Sequence, residues 1–160
     1  MTAKETMMIT LEKILYTAKA HTTGGRDGGA SRTDDGRLDV QLTEPGKSGA
    51  GTNPEQLLAV GWSACFMSAV KVVASKKRVP LPDDAAVDAE IDLGLAQGGH
   101  HLAARLNVSL PGLDRETAQS IVEGASRVCP YSLALKGNIV TIYTAVKSDV
   151  PTAVGHTQQA

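Results

Sequence analysis

The start of a helix at Asn53-Pro54-Glu55-Gln56 is the feature that most constrains the fold of this chain. These four residues are an N-cap side chain, a proline at the first helical position, an acid in the first turn and a glutamine that completes a capping box. The helix can continue to Lys77, because Pro80 prevents its extension beyond that region. The sequence therefore predicts a helix over residues 54–77, about 36 Å long at roughly 1.5 Å per residue.

One face of this helix is predicted to be buried. Apolar and small residues recur along it at helical spacing. They are Leu58, Gly61, Trp62, Cys65, Ser68, Ala69 and Val72.

Apolar residues that alternate with polar ones predict the strands. The first strand is predicted over Ile9 to Thr23 and leads into a glycine-rich loop, and the second over Leu38 to Leu42. Residues 87–95 and 102–110 predict an antiparallel hairpin that turns at Gln97-Gly98-Gly99, and residues 138–146 predict a last strand.

A second helix is predicted after Asp114, which can act as its N-cap. Cys129 lies at its end, directly before Pro130. Its inward residues are Ala118, Ile121, Val122, Ala125 and Val128.

The order of these elements predicts an α+β fold, with an antiparallel or mixed sheet against which the long helix packs. Residues 1–146 are expected to form a single domain, and residues 147–160 a poorly ordered tail.

Composition argues against nucleic-acid and membrane partners. The formal net charge is −1, and the aromatic residues are 1 Trp, 3 Tyr and 1 Phe. The first 30 residues contain no apolar run of signal-peptide length, and nowhere do 18 consecutive apolar residues occur. We therefore expect a soluble, cytoplasmic protein, in which a disulfide would be catalytic or regulatory rather than structural.

Cys65 and Cys129 are the 2 cysteines of the sequence. Their wide separation does not match a zinc knuckle or a C-x-x-C redox motif. Three interpretations stay open at this point: two unrelated buried thiols, a structural disulfide, or a peroxidatic and resolving pair.

Arg26 is the candidate cation that could activate a thiol, because it lies between two glycine pairs in a loop and stays charged at any working pH. Glu55 could hold Arg26 through a bidentate ion pair, or could simply complement the helix dipole. The 4 histidines lack the spacing of a metal site, so no metal is expected.

The sequence around these residues resembles the organic hydroperoxide resistance (Ohr) branch of the OsmC/Ohr family. The resemblance covers roughly residues 9–146, and four segments with both cysteines carry it in order. The segments are Leu15-Tyr16-Thr17-Ala18 with Gly24-Gly25-Arg26-Asp27-Gly28, Gly51-Thr52-Asn53-Pro54-Glu55-Gln56-Leu57, Ser63-Ala64-Cys65-Phe66, and Cys129-Pro130-Tyr131-Ser132. Two departures are Leu133, where the family usually has Asn, and residues 58–62, which replace a run that usually contains Phe.

The resemblance implies an intertwined homodimer with antiparallel sheets around two long central helices. It implies a thiol-dependent peroxidase in which Cys65 is the peroxidatic thiol, Cys129 the resolving thiol, and Arg26 with Glu55 the activating pair. The implied substrates are organic hydroperoxides. No cofactor is implied, and the implied reductant is an external dithiol, a lipoylated protein or dihydrolipoamide.

The apolar residues around Cys65 favour alkyl or lipid hydroperoxides, because burial of each CH₂ contributes about 0.8 kcal/mol. The sequence leaves open whether these residues face the substrate or the core. They are Leu57, Leu58, Trp62, Phe66 and Met67. The alternatives are an OsmC-type peroxidase with other substrate or reductant preferences, and a non-catalytic redox sensor or ligand-binding module on the same fold.

Overall fold

The computed structural model describes residues 9–146 in two compact units, one that ends at Asn53 and one that begins at Pro54. The predicted tail lies outside the described residues. The elements are three strands in the first unit, and three helices and three strands in the second. They are β1 (Ala20–Thr23), β2 (Ala30–Thr33), β3 (Asp39–Gln41), α1 (Pro54–Lys77), β4 (Ala86–Ala96), β5 (Gly99–Ser109), α2 (Arg115–Ser126), α3 (Pro130–Leu135) and β6 (Val140–Val146).

The first unit contains a three-stranded antiparallel sheet in the order β1-β2-β3. The predicted strand from Ile9 to Thr23 is wrong for residues 9–19, which form no strand. The described partner strand, β2, has only four residues and pairs with Ala20 to Thr23 alone. Ile9 is 92% exposed, so its apolar side chain does not indicate a buried strand face. β2 itself was not predicted, because Ala-Ser-Arg-Thr shows no alternation of apolar and polar residues.

α1 has the predicted bounds, and it lies in the core of the second unit. Its buried face differs from the predicted one, since Val72 is 47% exposed and Ser68 is also exposed. Apolar residues occur around most of the helix, so their spacing does not select a single face. The residues buried are Trp62, Phe66, Ala69, Val70, Val73 and Ala74.

Within residues 9–146, α1 is the single helix that is long and apolar enough to cross a membrane, judged by length and composition alone. The core helices of soluble proteins have the same property. Val60 and Val72 are 68% and 47% exposed, so part of the apolar surface of α1 lies outside the core of its own unit.

β4 and β5 form the predicted antiparallel hairpin, with a tight turn at Gln97 and Gly98. One face of β5 points into the core through Ala104, Leu106 and Val108. Arg105 lies between them on the other face, where its Nη2 donates to Asp92 Oδ1 at 2.9 Å across the hairpin. The alternation of the sequence thus corresponds to a sheet with one buried and one exposed face.

β6 pairs with β5 in parallel, so the sheet is mixed, in the order β4-β5-β6. A parallel pair needs a long crossover, and here α2 and α3 supply it. Asp114 caps α2 as predicted, its Oδ1 accepting from the Thr117 backbone N–H at 2.9 Å. The predicted inward residues of α2 are buried, except that Val128 lies beyond the helix and is 42% exposed.

Candidate active site

The structure brings the two cysteines of the chain together. The Sγ atoms of Cys65 and Cys129 lie 3.5 Å apart, although the residues are 64 positions apart in the sequence. Both are free thiols. The distance exceeds the roughly 2.05 Å of a disulfide by about 1.5 Å, so a small movement of one side chain can close the bond. Both residues lie in the second unit, Cys129 fully buried and Cys65 partly exposed.

Cys65 lies three turns inside α1, on the side of the helix that faces α3. An ideal Cβ added to Gly61 would lie 2.8 Å from Tyr131 Oη, so the absence of a side chain there makes room for the tyrosine. One residue further, Trp62 Nε1 donates to Ser132 Oγ at 3.0 Å. Three positions of α1, residues 61, 62 and 65, therefore meet residues 131, 132 and 129.

Cys129 lies between two helices rather than at the end of one. The prediction that it ends the second helix is wrong, because α2 ends at Ser126, with Arg127 as its C-cap. Cys129 is instead the N-cap residue of α3, with Pro130 at the first helical position. Its backbone N–H donates to Ala125 O at 2.9 Å, and its carbonyl oxygen accepts from the Leu133 N–H at 3.0 Å.

Burial raises the pKa of the Cys65 thiol above its ordinary value of 9.0, and the neighbouring Cys129 thiol raises this pKa further. A hydrogen bond from the Tyr131 backbone N–H opposes this shift. The raised pKa means that the surroundings in the single chain favour the neutral thiol. A positive charge placed close to the Cys65 sulfur would favour the thiolate and oppose this shift.

Glu55 lies in the first turn of α1, ten residues before Cys65. Its Oε2 atom is buried and has no hydrogen-bond partner among the residues that the structure describes. A buried carboxylate oxygen without a hydrogen-bond partner is unfavourable, by roughly a few kcal/mol. Glu55 thus has an unused capacity to accept a hydrogen bond from a cation.

Arg26 lies in the first unit, in the turn that joins β1 to β2, and its side chain is exposed. The glycine-flanked loop predicted from the sequence is present: Gly24, Gly25 and Gly28 have φ of 70°, 66° and 76°. These values lie in the left-handed region, which glycine adopts without strain. The pairing of Arg26 with Glu55 stays a prediction.

The apolar residues near Cys65 divide into two groups. Trp62 and Phe66 are fully buried, and Phe66 stacks on Tyr143 with ring centroids 5.2 Å apart. These two belong to the core of the second unit. Leu57, Leu58 and Met67 keep part of their surface exposed, so they are the apolar side chains of this group that a substrate could contact.

Sequence reasoning missed the contacts that fasten α3 to α1. It named Trp62 and Ser132 only as parts of patterns and gave α3 no place in the fold. Pro130 is the signal that could have found α3, because proline is favoured at the first position of a helix. Within residues 9–146 no group of three or more His, Cys, Asp or Glu side chains is arranged to hold a metal ion.

Comparison with known proteins gives one consistent family. The model of the OsmC-like protein family matches residues 44–144. The organic hydroperoxide resistance protein of Xanthomonas axonopodis pv. citri is 43% identical over 136 residues, which cover 82% of this chain and 95% of that protein.

Two solved structures are similar along most of the chain. The organic hydroperoxide resistance protein OhrB of Bacillus subtilis has a TM-score of 0.78 and 36% identity, and the match covers 83% of this chain and 100% of that one. An organic hydroperoxide resistance protein from Legionella pneumophila has a TM-score of 0.77 and 38% identity, with coverage of 84% and 100%. The chain therefore belongs to the OsmC/Ohr family, in its organic hydroperoxide resistance branch.

Proposed function

We propose that this protein is a thiol-dependent peroxidase that reduces organic hydroperoxides to alcohols. The observation that carries the proposal is the 3.5 Å distance between the Sγ atoms of Cys65 and Cys129. Two thiols this close can form a disulfide with little rearrangement of the backbone. The names of the relatives support organic hydroperoxides as the substrate class.

Cys65 is the thiol that reacts with peroxide, because it is partly exposed whereas Cys129 is fully buried. The Cys65 thiolate attacks the outer peroxide oxygen, and the O–O bond breaks. The alkoxide leaves and takes up a proton to become the alcohol. Cys65 loses two electrons and becomes a sulfenic acid, while the peroxide gains them.

Cys129 then attacks the sulfur of the Cys65 sulfenic acid. The S–S bond forms, and the hydroxyl of the sulfenic acid departs as water with the thiol proton of Cys129. An external dithiol of the lipoyl type reopens the disulfide by two exchange steps, becoming a cyclic disulfide while both cysteines return to thiols. No resident cofactor takes part in this cycle, which we place in the cytoplasm.

Arg26 supplies the positive charge that Cys65 needs. Burial raises the pKa of the thiol in the single chain, and a guanidinium close to the sulfur would lower it. The same charge stabilises the alkoxide as it leaves. Glu55 fixes the position of Arg26, which is supported by the buried Oε2 atom that lacks a hydrogen-bond partner within residues 9–146.

The site is shared between two copies of the chain. Glu55 and Cys65 lie about 15 Å apart along α1, at roughly 1.5 Å per residue. An arginine held by Glu55 can therefore reach the thiol more readily if the α1 helices of two copies cross in opposite directions. The exposure of Val60 and Val72, which are 68% and 47% exposed on α1, supports such a dimer, because a second α1 would cover these apolar side chains. In this arrangement Arg26 and Glu55 of one copy act on Cys65 of the other.

Peptide mapping after oxidation tests the proposed thiol chemistry. One equivalent of an organic hydroperoxide should produce an intramolecular Cys65–Cys129 disulfide. In Cys129→Ser, Cys65 should stop at sulfenic acid and proceed to sulfinic acid when peroxide is in excess. Turnover that persists while Cys65 stays unmodified would show that the assignment is wrong.

Turnover with a dithiol separates the peroxidase from its alternatives. A peroxidase consumes many equivalents of peroxide per chain, whereas a redox sensor is oxidised once. Side-by-side assays with an organic hydroperoxide and hydrogen peroxide test the substrate class. Faster reduction of hydrogen peroxide would favour an OsmC-type peroxidase with a different preference.

Complementation between inactive variants tests the shared site. Cys65→Ser and Arg26→Ala are refolded together, so that mixed dimers contain one site with an intact Cys65 and an intact Arg26. Activity should reappear in the mixture and be absent from each parent refolded alone. Mixed dimers that form but have no activity would place the complete site within one chain.

A further inference from the structure

α3 is held to α1 by a buried polar contact. Ser132 is the buried residue of this short helix, and its neighbours Tyr131 and Leu133 are 40% and 51% exposed. The Ser132 Oγ accepts a hydrogen bond from Trp62 Nε1 at 3.0 Å, and Trp62 itself is fully buried. Leu135, at the end of α3, packs against the core, and the Trp62–Ser132 hydrogen bond is a polar contact that holds the start of the helix against α1.

The loss of either partner leaves a polar group in a closed environment. The indole ring of Trp62 has a single hydrogen-bonding group, its N–H. This group cannot reach bulk water while Trp62 stays in the core. A buried donor without an acceptor is more unfavourable than the absence of both partners. The bond therefore fixes where α3 lies along α1, to within the short range that a hydrogen bond tolerates.

The position of α3 determines where the Cys129 thiol points. Cys129 is the N-cap of α3, and its side chain makes no capping hydrogen bond to that helix. Its carbonyl oxygen accepts from Leu133 in the first turn of α3. A rotation or shift of α3 therefore turns the Cys129 backbone and moves its Sγ away from Cys65.

We propose that the Trp62–Ser132 hydrogen bond positions the resolving thiol, Cys129, against Cys65. This inference rests on the proposed peroxidase function. Both residues are positioning residues, because they act through Cys129. By holding the two sulfurs 3.5 Å apart, the bond raises the effective concentration of the Cys129 thiol at Cys65.

Two reactions compete for the Cys65 sulfenic acid. In one reaction Cys129 attacks the sulfur, the S–S bond forms, and water leaves. In the other a second hydroperoxide transfers an oxygen atom to the sulfur, which yields sulfinic acid and a second molecule of alcohol. A well-placed Cys129 favours the first reaction, so the hydrogen bond protects Cys65 from irreversible oxidation.

The test uses Ser132→Ala, Trp62→Phe and the double variant in the full-length chain. The first measurement is the effective concentration of the Cys65–Cys129 pair in glutathione redox buffers, which involves no peroxide. Each single variant should lower this value about tenfold, equivalent to about 30 mV for a two-electron couple. The double variant should be no worse than the singles, because the two groups act as one unit.

The second measurement is the ratio of disulfide to sulfinic acid after graded doses of an organic hydroperoxide. The single variants should form more sulfinic acid than the wild type at equal dose. Ser126→Ala is the matched control, since its hydroxyl donates to Glu123 O within its own helix at 2.8 Å. It should match the wild type in both measurements.

Two outcomes would overturn the inference. Folded single variants with the wild-type effective concentration would mean that the backbone bond from Cys129 to Ala125 holds the thiol without help from α3. Loss of folding in both single variants would mean that the bond supports the whole unit rather than one thiol. Failure of the proposed function itself is distinguishable, because wild-type protein would then form no disulfide with organic hydroperoxide.

Discussion

Alanine at Gly61 and alanine at Gly124 should change the free energy of unfolding in opposite directions. Both glycines lie within helices, where alanine is favoured over glycine by about 1 kcal/mol. At each position an added Cβ would lie 2.8 Å from an atom of another side chain, Tyr131 Oη in one case and Val73 Cγ1 in the other. The sign of the effect therefore depends on whether that neighbour can move.

Tyr131 can move, because the new methyl group meets the end of a side chain that is 40% exposed. We expect Gly61→Ala to stabilise the protein by about 0.5–1 kcal/mol, the gain in helix propensity less a small cost of turning the ring. Val73 cannot move in the same way, since it is buried and strongly prefers one rotamer in a helix.

Overpacking of a core commonly destabilises by about 1–3 kcal/mol. After the gain in helix propensity, Gly124→Ala should be less stable than the wild type by up to about 2 kcal/mol. Urea unfolding at a single protein concentration, followed by circular dichroism, measures both variants. A change in midpoint without a change in slope would confirm that folded-state stability is what differs. If Gly124→Ala proves as stable as Gly61→Ala, the reasoning from neighbour mobility is wrong.

Two further predictions concern charge. Arg26→Ala should raise the pKa of Cys65 and shift the pH dependence of the peroxide step to higher pH, and Glu55→Ala should act in the same direction but more weakly. Ultraviolet absorbance of the thiolate, followed against pH, measures this pKa. An unchanged titration in Arg26→Ala would place the activating cation elsewhere. Asp114→Ala should destabilise α2 at neutral pH. The Thr117 backbone N–H lowers the pKa of Asp114 in the folded chain, so the stabilisation is present above the unfolded pKa and is lost as pH falls through the lower folded pKa. The stability difference between wild type and Asp114→Ala should therefore shrink below about pH 4, and a difference that persists in acid would contradict the cap assignment.

The sequence predicted best the elements whose limits depend on local chemistry. α1 begins and ends where predicted, since Pro54 favours the first helical position and Pro80 prevents continuation. The β4–β5 hairpin follows from strict alternation around a glycine turn. Asp114 caps α2 because a carboxylate needs only the nearby N–H of Thr117 to do so.

Structural features that depend on contacts between residues far apart in the sequence could not be predicted in the same way. The first strand is short because its partner β2 is short, and nothing in residues 9–19 indicates this. The buried face of α1 is set by what packs on it rather than by its own spacing. The meeting of Cys65 with Cys129 depends on the path of α2 and α3. Two of the three interpretations that the sequence left open required that meeting, and family resemblance favoured the peroxidatic and resolving pair.

In the peroxidase cycle proposed above, the unequal burial of the two cysteines would give thiol exchange a direction. In an oxidised chain an incoming reductant meets the sulfur of Cys65, which is partly exposed, before that of Cys129, which is enclosed. Attack at Cys65 makes Cys129 the leaving group and joins the reductant to Cys65 in a mixed disulfide. In that cycle Cys129 would be released as a thiol at a fully buried position. The surroundings of the Cys65 sulfur would therefore select the reductant in that cycle.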